Sequence, residues 1–416
     1  MTASLLLFYI CAALILQLVV GVGIAVFRLR QDALGTGFAP DDERTPAVPG
    51  AWSGWRQFRV ARRNFEDAGC TQCSFHLMPV DGEALLPFKP GQFLTVRLQA
   101  PNAVAGMPDQ GRMIARCYSL SDRPLPAEYR ITIKRVLAPP DRPGAPPGIA
   151  SAYFHDSVQD NDVIEIRAPA GQFFLDPDPL VPVVLICGGI GITPMMSIVR
   201  WCLDEQPDRV LHLFHGVRNG RERAFKSALE QRAGSHPNFH LNLAYSRPDP
   251  DDVHGRDFQH AGHIDIDLLK EILPRGRRHF YVCGPPPMME SLVPALRVWG
   301  IPDADIHFES FGPASVQSAA GVSPGAVLAP SAQWDVAFRR SGRTLRWDGC
   351  DASLLDFAER HGIAVDSGCR SGSCGACETK LVSGMVRYVQ KPGYDISSGC
   401  CLLCVGVPAS ALLLDA

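Results

Sequence analysis

Three cysteines fall within nine positions of a Gly- and Ser-rich stretch, SGCRSGSCGACETK, residues 367–380. Cys369, Cys374 and Cys377 stand in the spacing C-x4-C-x2-C. A disulfide, a zinc ion or an electron-carrying cluster could tie such a loop together. The choice decides what the rest of the chain is for. Structural zinc sites favour paired short cysteine spacings, and a five-residue step followed by a three-residue step fits that poorly. The chain has 14 cysteines in 416 residues, irregularly spaced outside this stretch, which does not read as a disulfide framework. A two-iron cluster needs two thiolates per iron and hence a fourth cysteine. The apolar segment CCLLCVGV offers Cys400, Cys401 and Cys404.

The surrounding composition narrows the partners. Hydrophobic residues make up 46% and charged residues 20%, enough to bury several cores, and the net charge is only −3 with no long basic run. Nucleic acid is therefore not expected as a partner. Ser4 to Phe27 is free of charge over 24 residues and is followed by Arg28 and Arg30. At about 1.5 Å per residue such a helix spans a hydrocarbon core of about 30 Å. The positive-inside rule then puts the remainder in the cytoplasm. The segment lacks the charged start and the short apolar core of a cleaved signal. Residues 4–27 are read as a single-pass anchor and 28–50 as a Pro- and Gly-rich linker.

From residue 51 the pattern becomes short apolar alternations broken by turns. FRVARRNF, CSFHLMPV, GQFLTVRL, YRITIKRV and DVIEIRAP predict the strands of an antiparallel β-barrel over 51–177. VPVVLICGG is a continuous apolar run, as for a strand buried on both faces, and a Gly turn and a helical stretch follow. The strand theme recurs in RVLHLFHGVR, NFHLNLAYSR and HFYVCGPP, which predicts an α/β nucleotide-binding domain over 178–311. Residues 312–333 are small and uncharged and read as a flexible tether with a span of about 25 Å. A third domain occupies 334–416.

Four motifs then appear in one order. RCYSLS (Arg116–Ser121) resembles the R-x-Y-S flavin signature of the ferredoxin–NADP⁺ reductase superfamily. GIASAYFHD follows, then CGGIGITPMM (Cys187–Met196), and then YVCGPPPMM, which matches the C-G-P-x-x-M signature. FESFGPAS closes the unit. The C-x4-C-x2-C loop is that of plant-type [2Fe–2S] ferredoxins, and SLLDFAERHGIAVDSGCRSGSCGACETKLVSGMV resembles a β-grasp ferredoxin domain. The whole layout resembles phthalate dioxygenase reductase, whereas YSLSDRP and HGVRNGRERAF are closer to flavohaemoglobin-type reductases.

The resemblance implies roles. Arg116 would grip a flavin phosphate, Tyr118 would lie beside the isoalloxazine or ribityl chain, and Ser119 would bond the ring edge. Gly148 and Ser151 would cap the flavin phosphates at a helix start. An inserted loop, LAPPDRPGAPP, leaves open whether Lys134 takes part. Gly188, Gly189 and Gly191 would admit the dinucleotide pyrophosphate, with Thr193 and Pro194 beside the nicotinamide. Cys283 and Gly284 would face its reacting carbon, and Glu309 and Phe311 would come to the flavin. Ser119, Cys283 and Glu309 form the expected catalytic group. The L-x-C pattern in Leu402-Leu403-Cys404 makes Cys404 the fourth cluster ligand, beside Cys369, Cys374 and Cys377.

The other thiols read as structural: Cys70 and Cys73, Cys187 and Cys202, Cys350, and Cys400 with Cys401. RNGRER (Arg218–Arg223) with Ser246 and Arg247 either grips the 2′-phosphate of NADPH or forms a solvated face. NADH is slightly favoured, and FAD is favoured over FMN. The expected function is a membrane-anchored reductase that takes hydride from NAD(P)H onto FAD. It would pass single electrons through a [2Fe–2S] cluster to an oxygenase, desaturase or other metalloenzyme. Direct reduction of a quinone, or a redox-sensing role, are the alternatives.

Overall fold

The computed structural model describes residues 52, 54–100, 112–138, 147–311, 333–370, 372, 374–389, 392–394 and 396–416. The predicted anchor at 4–27, the linker 28–50 and residues 312–332 of the predicted tether lie outside these. Among the described residues no helix is long and apolar enough to cross a membrane.

The first domain is a six-stranded antiparallel sheet in the order β4-β3-β6-β1-β2-β5. Its strands are β1 (Arg56–Phe65), β2 (Gln72–Pro79), β3 (Phe93–Ala100), β4 (Arg112–Ser119), β5 (Tyr129–Lys134) and β6 (Val163–Ile166). Alternation in β1 turns Phe58 and Val60 inward and leaves their neighbours outside. A bridge between Leu120 and Ile131 joins the ends of β4 and β5 and closes the sheet into a barrel. The strand β4 was legible only as a motif. Ile114 and Ala115 are buried side by side, so the period-two signal is missing there. Helix α1 (Ile149–Asp156) lies across the barrel, with Phe154 packed on Phe75.

The second domain is a six-stranded parallel sheet in the order β10-β9-β8-β7-β11-β12. It comprises β7 (Val183–Gly188), β8 (Leu211–Val217), β9 (Phe239–Tyr245), β10 (His260–Ala261), β11 (His279–Gly284) and β12 (Ile306–Ser310). Every residue of β7 and β11 is buried, as expected for strands covered on both faces. Helices α2 (Ile192–Glu205), α3 (Lys226–Ser235), α4 (Ile266–Ile272) and α5 (Pro286–Val298) supply the cover. Two separate apolar cores line the two faces of the sheet.

The third domain has a five-stranded mixed sheet in the order β14-β13-β19-β15-β17, with β16 and β18 paired beside it. Its elements are β13 (Trp334–Phe338), β14 (Arg343–Trp347), helix α6 (Leu354–Arg360), β15 (Glu378–Ser383), β16 (Val386–Tyr388), β17 (Cys400–Leu402), β18 (Gly406–Pro408) and β19 (Leu412–Leu414). Ser353 caps α6: its hydroxyl accepts from Asp356 N and donates to the Asp356 carboxylate. The core lies between α6 and the sheet.

Buried side chains hold the first two domains together. Asp122, at the end of the flavin motif, accepts from Arg200 of α2 at 2.8 Å and lies 3.5 Å from the buried Arg130. Ser197 donates to Asp122 O at 2.7 Å.

Candidate active site

The strand β4 carries two faces of chemistry. Successive side chains alternate, so Arg116 and Tyr118 share one face, and Ala115, Cys117 and Ser119 share the other. The Tyr118 ring packs edge-on to Phe154 of α1, with centroids 5.3 Å apart. Burial raises its phenol above the ordinary value. Arg116 is exposed, and its guanidinium donates to Ala115 O at 2.7 Å. Across the loop before α1, Ser151 Oγ donates to Gly148 O at 2.9 Å and accepts from Val136 N at 3.1 Å. The Ser151 hydroxyl is thus spent on closing its own loop. Gly148 caps the helix, so the first N–H groups of α1 are the anion donors this corner offers. Lys134 Nζ reaches Glu222 Oε2 at 3.1 Å, which ties it to the nucleotide domain.

On the other face of β4, Ser119 Oγ donates to Glu309 Oε2 at 3.4 Å, across 190 residues of sequence. Glu309 stands on β12, in register with Cys283 of β11, which is itself in register with Cys187 of β7. Burial pushes the Glu309 carboxyl up to about 8, partly opposed by the Ser119 hydrogen bond and reinforced by Cys369. Cys283 is wholly buried, and burial raises its thiol well above the ordinary value, with Glu309 adding to the rise. Such a thiol stays protonated and unreactive. Phe311 follows β12, half-buried against the core on one face of the sheet.

The two glycine motifs meet at the point where the strand order reverses. The chain runs outward from β7 to β10 on one side and returns as β11 and β12 on the other. Gly188 ends β7 and Gly284 ends β11, so both turns lie at the carboxyl ends of adjacent strands, where α/β sheets bind nucleotides. A single 3₁₀ turn, Gly189–Gly191, leads into α2. A Cβ on Gly191 would stand 2.1 Å from Cys283 O, so one motif requires glycine because the other packs against it. Gly189 differs: φ is +54°, and a Cβ there would meet only Lys134 Nζ, at 4.0 Å. Thr193 Oγ1 donates to Ile190 O at 3.0 Å, and Thr193 and Pro194 are both buried in the first turn of α2.

The arginines of the basic cluster RNGRER divide: Arg218 and Arg221 are exposed and Arg223 is buried. The Arg223 side chain is fully buried and bonds Glu230 at 2.7 Å. Arg218 bonds Glu222 at 2.5 Å. The backbone N–H groups of Ser246 and Arg247 pair with Val217 O and Arg218 O, which holds that loop beside the end of β8.

The four expected cluster ligands converge as two pairs. Cys369 N donates to Cys374 Sγ at 3.2 Å, and Cys404 N donates to Cys377 Sγ at 3.4 Å. Ala376 N also points at Cys374 Sγ, at 3.5 Å. A hydrogen bond from Cys404 draws the Cys377 thiol below its ordinary value. Backbone N–H groups aimed at sulfur favour the thiolate. Two thiol pairs are what two irons require, so the residues fit a [2Fe–2S] cluster. Among the described residues no group of three His, Cys, Asp or Glu could hold a single ion. Gly375, at φ +68°, admits the Tyr394 ring, which a Cβ would approach to 2.3 Å.

The remaining thiols are scattered. Cys73 is buried in the barrel, Cys70 sits exposed on a turn with φ +51°, and Cys350 is exposed. Cys401 is buried beside Cys377, and Cys400 is half-buried on β17.

Known proteins match the chain in both halves of this site. Residues 185–293 match the oxidoreductase NAD-binding domain family, and residues 336–408 match the 2Fe-2S iron-sulfur cluster binding domain family. The flavohaemoglobin-like FAD/NAD-binding domain of nitric oxide dioxygenase from Vibrio cholerae is 32% identical, with a TM-score of 0.53, over 62% of this chain and 99% of that one. The chain belongs to the ferredoxin–NADP⁺ reductase superfamily. It joins that reductase unit to a [2Fe–2S] ferredoxin domain. Phthalate dioxygenase reductase aligns with both parts, at 26% identity and a TM-score of 0.51, over 87% of this chain and 98% of that one. A flavohaemoprotein of Halalkalibacterium halodurans is 38% identical over 272 residues, 65% of this chain. The chain spans 63% of the length of that relative.

Within this superfamily member, the sequence motifs missed one set of residues at the junction of barrel and ferredoxin domain. Phe93, Ala115, Cys374 and Ala376 form one buried cluster, with Trp55, Cys117, Ala170 and Cys369 packed on it. Arg167 stacks over Trp55 at 4.8 Å and donates to Cys374 O at 3.3 Å. Cys117, Cys369 and Cys374 belong to motifs, but no motif relates the barrel side of this cluster to its ferredoxin side, some 200 residues or more away.

Proposed function

We propose that the chain is an NAD(P)H-dependent electron-transfer reductase that uses FAD and a [2Fe–2S] cluster to feed a protein acceptor such as an oxygenase, desaturase or other metalloenzyme. The observation that carries this reading is the strand β4. Its Ser119 meets Glu309 at the end of the nucleotide domain at 3.4 Å, while its Cys117, two positions earlier, lies in one apolar cluster with Cys369 and Cys374. A flavin takes a hydride as two electrons and releases them singly, which is what links a nicotinamide to a one-electron cluster.

The chain's own residues divide the work. Arg116 and the first N–H groups of α1 would hold the flavin phosphates, and Tyr118 would back the flavin from the barrel. The glycine turns ending β7 and β11 admit the dinucleotide pyrophosphate, and Thr193 and Pro194 wall the nicotinamide. Cys283 fills the floor of the crevice as a neutral thiol. Glu309, neutral at pH 7, and Ser119 keep a proton beside the flavin edge and exclude bulk water. Internal pairing of Arg218 with Glu222 and of Arg223 with Glu230 takes two of the cluster's arginines away from a 2′-phosphate, which leans towards NADH. Residues 4–27, uncharged and followed by Arg28 and Arg30, serve as the membrane anchor with the catalytic domains cytoplasmic.

The test is NADH and NADPH oxidation by the purified holoprotein with ferricyanide, cytochrome c and a quinone as acceptors. Turnover with ferricyanide and cytochrome c, faster with NADH, supports the reading. Turnover with quinone alone, or none despite bound cofactors, defeats it. Retention of the full chain in alkali-washed membranes, and its release when residues 1–50 are deleted, tests the anchor.

A further inference from the structure

Cys117 occupies the unspecified position of the R-x-Y-S signature, yet its surroundings are specific. It lies opposite Thr95 in the β3–β4 ladder, with Thr95 Oγ1 and Cys117 Sγ 3.5 Å apart. Its thiol packs in one cluster with Cys369 and Cys374 across the domain boundary. The fit is close on the far side too: a Cβ on Gly368 would meet Cys374 Sγ at 2.8 Å and Cys117 Sγ at 3.3 Å. Arg167, held over Trp55 at 4.8 Å, donates to Cys374 O at 3.3 Å and fixes the same loop from the side. Arg97 stacks over the same indole at 4.6 Å and pairs with Glu165.

Two positions along the strand on the same face, Ser119 reaches Glu309. One strand face therefore meets Glu309, proposed above to lie at the flavin edge, at one end and the cluster loop at the other. A thiol offers one weak donor, and a hydrogen bond to a ligating sulfur withdraws electron density from it. Buried Ala115 and Phe93 pack beside it.

We propose that Cys117 is a positioning residue for electron transfer within the chain: its S–H docks the Cys369–Cys374 side of the cluster loop against the flavin strand and tunes the cluster through the ligand sulfur. This rests on the reductase reading above. Cys117 gives up no electron and no proton. NADH would supply two electrons as hydride to the flavin, which would release them one at a time to the cluster and on to the acceptor, while Cys117 would set only the contact and the ligand's hydrogen bonding.

The experiment compares Cys117→Ala, Cys117→Ser and Cys117→Leu in the full holoprotein. The cluster potential is read by redox titration with electron paramagnetic resonance, and electron arrival at the cluster by rapid mixing with NADH. Loss of the donor in Cys117→Ala lowers the cluster potential, and Cys117→Ser restores most of the shift. Bulk in Cys117→Leu slows arrival at the cluster about tenfold or more, while flavin reduction by NADH keeps its rate and shows that the protein is folded. Wild-type potentials and arrival rates in both Cys117→Ala and Cys117→Leu overturn the proposal alone. A wild-type protein in which NADH reduces no cluster overturns the reductase reading with it.

Discussion

Glu309 stands where the three domains meet, bonded to Ser119 of the barrel, beside Cys283 of the nucleotide domain and within the electrostatic reach of Cys369. Its carboxyl is raised from 4.5 to about 8, chiefly by burial. A group raised in the folded state favours folding most below its unfolded value, and that contribution is lost as the pH rises towards the folded one. Urea unfolding followed between about pH 5 and about pH 8 therefore weakens in the wild type as pH rises. Glu309→Gln keeps the hydrogen bond to Ser119 and removes that slope; an unchanged slope would show that Glu309 does not hold its proton. At this scale the residue identities were legible and their pairings were not. Ser119 and Glu309 each belong to a motif, but nothing in either motif says that their side chains meet. Ser151 also closes its own loop, donating to Gly148 O and accepting from Val136 N, a local closure that spacing alone does not reveal.

The elements that matter are turns wedged between strands. Gly191 lies against Cys283 O so closely that Gly191→Ala must push β7 and β11 apart. The expected cost is about 2 kcal/mol of stability, with a raised KM for NADH because the crevice itself shifts; steady-state kinetics and urea titration measure both. The buried Asp122 between Arg130 and Arg200 is the second such point. Asp122→Ala leaves Arg130 buried without its carboxylate, and thermal or chemical unfolding is expected to show a loss of about 3 kcal/mol. The fully buried strands β7 and β11 were plain from their apolar runs. The strand β4 was hidden because both of its faces are covered there, Ile114 by the barrel core and Ala115 by the ferredoxin loop, although it carries the flavin signature. The basic run after β8 misled in the other direction: buried and paired, Arg223 works as a strut against Glu230 rather than as a phosphate grip.

At the scale of the whole molecule, three domains share one junction, and the order of motifs along the chain becomes an order in space. The architecture followed from that order and from the change of strand texture between β6 and β7. The junction of Trp55, Arg167 and Cys117 with the cluster loop could not be read, because it joins surfaces that no local pattern relates. The relay itself is tested most directly by mixing the anaerobic holoprotein with NADH, wild type beside Cys374→Ser, while flavin absorbance, the paramagnetic signal of the reduced cluster and cytochrome c reduction are recorded. Flavin bleaching in both proteins, with the cluster signal and cytochrome c reduction confined to the wild type, is the expected result. Loss of flavin reduction in a folded Cys374→Ser protein, or cytochrome c reduction that survives without the cluster, would contradict the relay.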